Sequence, residues 1–366
     1  MRRAFRNSVL VFLAASIVDS AVALPRFASR TGARCQSCHV NPSGGGMRQA
    51  FGIQYGRDEL PVPTWSEEFG LDNFSTKLSD FVSIGADFRT LFFYQQQPVS
   101  SKNAFFEMQG DVYMNLRLAK KVNMYLDKGL YDGFEIFGLL SVLPANGNVK
   151  IGKFLPNYGL KMDDHRTFVR DRTGFSPESR SSGGVPELTG GEVTVSPGSI
   201  TITGGVYNAK DQIGVSTANT KAFLGRAEGI FKISEEVNLG LGGNLFSTKV
   251  DGIKTTIFGG LGSVSFRSLT VLQEVDWIEK DGALPDALVT LTELNYVVSQ
   301  GLDLKFMYEF YDQDIDLKTG STSRYTVGFE FFPITGVELR PLYRISTESK
   351  SEVKNDEFNL VVHFYF

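Results

Sequence analysis

The sequence predicts an all-β fold: a transmembrane antiparallel β-barrel of about 16 strands, with a short N-terminal segment in or under its lumen. Three observations predict it. From about Lys77 to Phe366, apolar and polar residues alternate in segments of about 10–12 residues, and alternation sends successive side chains to opposite faces of a strand. Every second connection between these segments is tight, while most of the intervening ones are longer and polar. The chain ends on an aromatic, Phe366. A soluble sandwich also alternates, but it has no reason to keep short turns on one side and long loops on the other; a membrane barrel with an even strand number does.

Bulk composition hides this pattern. The chain has 366 residues, 42% hydrophobic and 21% charged, with a formal net charge of −4. Those averages resemble a soluble protein because a barrel averages one lipid-facing and one wet face. No segment approaches the ~18 consecutive apolar residues of a spanning helix. An acidic balance of 41 Asp and Glu against 37 Lys and Arg gives no basic footprint for nucleic acid. Two Cys and three His are very few. Chemistry that needs soft or nitrogen ligands must therefore use those five residues or Met.

Taken in order, residues 1–23 read as a secretory signal. Arg2, Arg3 and Arg6 precede an apolar core from Val9 to Val18, and Ala21-Val22-Ala23 supplies small residues for cleavage after Ala23. Residues 24–75 form a second unit. Both cysteines lie in Cys35-Gln36-Ser37-Cys38-His39, and C-x-x-C-H is the attachment signature of a c-type haem. Two thiols on one turn can add to the two vinyl groups on one edge of the porphyrin, and the next residue then falls under the iron. A thioredoxin-like pair or a plain disulfide would need no His, and no βαβ pattern surrounds the motif. The expected cofactor is one covalent haem c on Cys35 and Cys38, with His39 as axial ligand. The glycines of Asn41-Pro42-Ser43-Gly44-Gly45-Gly46 let the backbone pass close to a flat group. Arg34 and Arg48 are either partners of the haem propionates or solvated charges. Arg48 to Trp65 reads as one short helix followed by a Pro61-x-Pro63 linker. Three residues are candidates for the sixth iron position: His165, Met47 and His363. Met would raise the potential and a second His would lower it.

Residues 76–366 form the barrel. Tight turns fall at Lys120-Lys121, Ala145-Asn146-Gly147, Pro197-Gly198, Glu235-Glu236, Arg267-Ser268, Gln300-Gly301 and 333–336. In segment 302–311 the even positions are apolar or aromatic, and the odd ones carry Asp303, Lys305 and Glu309. Segment 106–118 sets Phe106, Met108 and Val112 against Glu107, Gln109 and Asp111. The last segment sets Phe358, Leu360, Val362, Phe364 and Phe366 against Glu357, Asn359, His363 and Tyr365. Tyr94, Trp277, Tyr311, Phe332, Tyr343 and Tyr365 are placed for interfacial girdles. The longest connection, about Pro156 to Val185, is the third long loop. In general porins, which this organisation resembles, that loop folds inward. Lumen charges are mostly acidic, among them Asp87, Asp111, Asp303, Glu309 and Glu330, with Arg89, Lys305, Arg324, Arg340 and Arg344 fewer. Such an excess either concentrates cations such as Fe²⁺ or is paired internally.

The lead from Pro25 to Gly32 (Pro-x-Phe-Ala-x-x-Thr-Gly), the Cys35, Cys38 and His39 motif, the Phe51-Gly52 pair and the barrel together resemble the fused monohaem cytochrome–porin family, which includes outer-membrane iron oxidases. The stretch Asn41 to Gly46 departs from the iron-oxidase pattern. The resemblance implies a bacterial outer-membrane protein with periplasmic termini. It would pass electrons between a donor or acceptor at or inside the lumen, Fe(II) among the candidates, and a periplasmic cytochrome or other carrier. Two other functions remain open: a diffusion porin whose haem segment is a plug or sensor, and a sleeve for a separate multihaem cytochrome.

Overall fold

The computed structural model describes residues 26–69, 75–130, 133–164, 166–175, 187–209, 220–282, 284–317, 319–350 and 353–366. The signal segment 1–23, Pro25 of the lead and His165 lie outside these residues. Four short helices come first: α1 (Arg26–Thr31), α2 (Cys35–Cys38), α3 (Ala50–Asp58) and α4 (Pro63–Glu68). Trp65 therefore sits in a second helix rather than in a linker. Pro63 starts that helix at its first turn, where a missing N–H costs nothing.

Sixteen strands follow: β1 (Val82–Gln95), β2 (Lys102–Ala119), β3 (Val122–Gly129), β4 (Phe134–Leu143), β5 (Gly147–Phe154), β6 (Leu188–Val195), β7 (Ile200–Asn208), β8 (Lys221–Ser234), β9 (Val237–Val250), β10 (Ile253–Phe266), β11 (Leu269–Lys280), β12 (Ala287–Ser299), β13 (Leu302–Asp312), β14 (Thr322–Phe331), β15 (Val337–Glu348) and β16 (Glu357–Tyr365). Each pairs antiparallel with its sequence neighbours, and β1 pairs with β16 to close the barrel. The last residue completes the seam: Phe366 and Ala86 exchange both backbone hydrogen bonds, at 3.0 and 3.1 Å. Closure leaves no edge with unpaired N–H and C=O groups, which a hydrocarbon surrounding would not tolerate.

Alternation sorts the side chains as the sequence requires. On β13, Asp303, Lys305, Met307 and Glu309 are buried inside while Leu304 and Phe306 face out. The outer wall carries a continuous set of exposed apolar residues, including Phe88, Phe223, Leu241, Leu245, Phe258, Val327 and Phe364.

A bulge on β2 changes one part of that order. Arg89 faces Gln109 but Thr90 faces Glu107, so Met108 is an extra residue. The extra residue flips the alternation. Met108 turns inward against Leu91 and Val361 instead of meeting lipid. Glu107 turns outward, exposed and bonded to Thr90, instead of lining the lumen. The aromatic girdle is also smaller than predicted. Trp277 and Tyr343 face out, but Phe332 and Tyr365 are buried, and Tyr311 packs inward on Phe168.

Leu241 lies on the outer face of β9. Leu241→Arg is expected to cost roughly 2–4 kcal/mol if it lies near the bilayer midplane. Denaturant unfolding in lipid vesicles measures this, and Ser247→Arg, nearer the end of the same strand and on the same face, is the milder comparison.

Candidate functional site

Two inserts enter the lumen from opposite ends and meet inside it. The N-terminal segment enters at the tight-turn end. Its outer part covers that mouth: the Val62 N–H donates to the Phe332 carbonyl at 3.0 Å, the Gln300 amide donates to the Asp58 carbonyl at 2.7 Å, the Thr335 N–H donates to Ser66 Oγ at 3.1 Å, and Trp65 packs edge-on against Phe331. Its inner part is fixed to the wall. Arg26 pairs with Glu330, Arg30 with Asp303 at 2.8 Å, and Asn238 donates to the Ser29 and Arg30 carbonyls. Arg34 donates to the Ser196 and Gly198 carbonyls of the β6–β7 turn.

The second insert is the third long loop, described up to residue 175 and including α5 (Phe168–Asp171). Wall groups hold it along its length. Tyr158 Oη donates to Asp276 at 2.6 Å, the Leu160 N–H to Glu274 at 2.9 Å, and the Phe168 N–H to Glu309 at 2.6 Å. Arg226 donates to the Gly159 carbonyl at 2.8 Å, and Arg89 to the Asp163 carbonyl at 2.7 Å. Asp163 pairs with Arg340 and Asp164 with Arg344. Arg340 and Arg89 overcome the burial of the Asp163 carboxyl and hold it well below the usual range.

Between the inserts lies a cavity of about 530 Å³. Cys35, Cys38, His39, Gly44, Gly45, Gly46 and Arg48 line it from the N-terminal side. Lys161, Met162, Asp163 and Arg170 line it from the loop, and Met108, Tyr113, His363 and Tyr365 from the wall. The sequence builds the first side locally. The His39 N–H donates to the Cys35 carbonyl at 2.8 Å, which closes one turn across the motif. The chain then folds back, with the Val40 N–H on the Met47 carbonyl and the Gln49 N–H on the Cys38 carbonyl. That reversal runs through Gly44, Gly45 and Gly46 at φ of +87°, +78° and +61°, a run that only glycine makes cheaply. A Cβ on Gly44 would stand 3.1 Å from Cys35 Sγ, and one on Gly46 would collide with Tyr125 Oη.

Both thiols are free. Burial, reinforced by Glu228, pushes the Cys35 thiol up to about 12. Burial, helped by the Arg48 charge, pulls His39 down to about 4, so its imidazole is neutral at pH 7. His39 Nδ1 lies 3.4 Å from the Gly46 carbonyl. With Nδ1–H directed at that carbonyl, Nε2 keeps its lone pair for a metal, the arrangement typical of metal-bound imidazole. Two thiols, a neutral imidazole and a cavity within the ~300–1,000 Å³ of small-molecule sites fit a covalently attached haem. Among the described residues, no three or more His, Cys, Asp or Glu cluster as a separate metal site.

The remaining sequence candidates are placed unequally. Arg48 lines the cavity with its guanidinium 4.3 Å over the Tyr365 ring. Arg34 also lines it but is engaged by the turn carbonyls. Met47 is buried in the packed core beside Tyr125, outside the cavity lining. His363 reaches the cavity, yet Nδ1 is 2.8 Å from Glu338 and Nε2 is 3.0 Å from Asp87. The lumen carboxylates are mostly paired rather than free: Glu330 with Arg26 and Lys305, Glu309 with Arg324, Asp303 with Arg30. Asp111 is bonded to Gln109. Met108 and Met162 carry no ligand signal in the sequence, since a bulge and an inward loop place them.

No protein-family model and no curated relative matches the chain. Solved structures do. OprB of Pseudomonas putida is similar over 84% of this chain and 99% of its own, at 8% identity and a TM-score of 0.61. OmpT of Vibrio cholerae is similar over 80% and 100%, at 13% identity and 0.55. An anion-selective porin of Comamonas acidovorans is similar over 78% and 99%, at 11% identity and 0.54.

Asp164→Asn would leave Arg344 buried with only Glu357 at 3.9 Å as its remaining described carboxylate contact. Stripping one member from a buried pair costs roughly 3–5 kcal/mol. Amide hydrogen exchange across 157–175 is expected to rise sharply in this variant and to stay slow in the native chain. At this level of similarity the solved structures establish the architecture: the chain has the closed 16-strand porin barrel fold.

Proposed function

We propose that this chain is a bacterial outer-membrane electron-transfer protein, a plugged barrel that holds one covalent haem c between its two inserts. The observation that carries the reading is the placement of Cys35, Cys38 and His39 on the wall of the internal cavity. The exposed apolar exterior matches lipid contact, and the tight turns are assigned to the periplasmic side, as in the barrels of this class. The haem would supply a one-electron Fe(III)/Fe(II) couple. Cys35 and Cys38 would anchor it, and His39 Nε2 would bind its iron. Arg48 lines the cavity as a candidate for propionate charge. The tight-turn end then faces a periplasmic carrier, and the loop end faces the external donor or acceptor, for which Fe(II) is one candidate.

A second reading has an observation in its favour. The similar solved structures include a porin described as anion-selective, and a diffusion porin with the N-terminal segment as plug would share this fold. Against open diffusion stands the packing of the lumen: Lys150, Asp276, Glu309 and Glu330 are fully buried under the inserts.

Denaturing gels stained for haem peroxidase activity separate the two readings. The native chain is expected to retain haem through denaturation, and Cys35→Ser/Cys38→Ser to lose it entirely. Chemical reduction should sharpen a c-type absorption spectrum, and reduction by Fe²⁺ would identify iron as a donor. Native protein without haem, with liposome swelling that rises when 24–75 are deleted, would establish the plugged porin instead.

A further inference from the structure

The haem reading leaves the sixth iron position open. We propose that the Met162 thioether is the distal ligand, facing His39 across the cavity; this rests on the haem reading above. The distal donor must reach the iron from the side opposite His39. Among the described residues lining the cavity, the sulfur and neutral-nitrogen donors outside the Cys35–His39 motif are Met108, Met162, His363 and Lys161.

His363 Nδ1 is hydrogen-bonded to Glu338 at 2.8 Å, and its Nε2 lies 3.0 Å from an Asp87 carboxylate oxygen. Ligation would break a buried, charge-assisted contact. Met108 is packed into the wall with Leu91 and Val361 at the β2 bulge. The Lys161 stem lies against Gly44 beside Cys35 Sγ, next to the thiol that would carry the attachment. Its Nζ donates to the Pro156 carbonyl at 3.2 Å.

Met162 belongs to the insert that enters from the other end of the barrel, and it shares the cavity lining with Cys35, Cys38 and His39. Its backbone is fixed on both sides: the N–H donates to the Leu160 carbonyl at 2.9 Å, and its carbonyl accepts from Arg170 at 2.8 Å. Asp163, next in the chain, is tied to Arg89 and Arg340. A ligand supported in this way loses little freedom on binding. A soft thioether suits a low-spin electron-transfer haem and raises its potential relative to a second imidazole. The third loop would then be a ligand carrier as well as a constriction.

The test uses the full-length, haem-loaded protein purified in detergent. In the oxidised state it should show the sulfur-to-iron charge-transfer band at the red edge of the spectrum, also seen by magnetic circular dichroism. Met162→Leu, close in volume, should lose that band and become high-spin. Met162→His should restore a low-spin spectrum at a lower potential. Met108→Leu should keep the band. A haem-loaded native protein without the band, or a Met162→Leu protein that keeps it, overturns the assignment while the haem reading stands. Native protein without covalent haem overturns both, and haem staining detects that separately.

Discussion

The structure depends on one constraint: a backbone in hydrocarbon must satisfy every N–H and C=O within itself. Strands meet this only by closing on each other. The β1–β16 seam, sealed by the reciprocal bonds of Ala86 and Phe366, is where the chain completes the ladder. Closure also fixes what comes next. Alternation puts half the side chains of every strand inside, and many of those are charged or polar. The lumen is therefore a lining of hydrogen-bonding groups that need partners.

Two inserts supply many of those partners. The N-terminal helices bring Arg26 and Arg30 to Glu330 and Asp303. The third loop brings Asp163 and Asp164 to Arg340 and Arg344, and backbone N–H groups to Glu274 and Glu309. Charges buried this way contribute little net stability, because desolvation offsets their attraction, but removing one partner is costly. Their use here is positional. They set where each insert stops, and the stopping places leave a cavity lined by Cys35, Cys38 and His39 of one insert and Met162 of the other. The same pairing answers the question raised by the acidic excess. Asp303, Glu309 and Glu330 are committed to internal cations rather than left to gather ions from solution.

Much of the barrel is legible in the amino-acid pattern. Strand positions on β13 and β16 follow from period two, because a half-buried strand has no other way to sort its residues. Gly44, Gly45 and Gly46 read as room for a flat group, and the structure uses their positive φ values for a chain reversal that other residues make only with strain. The departures have equally specific causes. Met108 and Glu107 change faces because one extra residue in β2 shifts the count, and a bulge leaves no mark in an alternating pattern. Tyr365 and Phe332 read as girdle aromatics but serve the interior, since an aromatic near a strand end suits either side. Trp65 reads as part of a linker because a proline pair suggests a break, yet Pro63 begins a helix.

The sequence alone determined the barrel, an approximate count of its strands and the motif Cys35-x-x-Cys38-His39, because periodicity and covalent spacing are local properties of the chain. Only the tertiary structure decided what shares a cavity with that motif. Met162 is 123 positions away in the chain from His39, and the two line one cavity because buried ion pairs stop two inserts, entering from opposite ends, at fixed depths. His363, equally visible in the sequence, is bonded through Nδ1 to Glu338 of the neighbouring strand, and closure of the sheet sets Asp87 beside its Nε2.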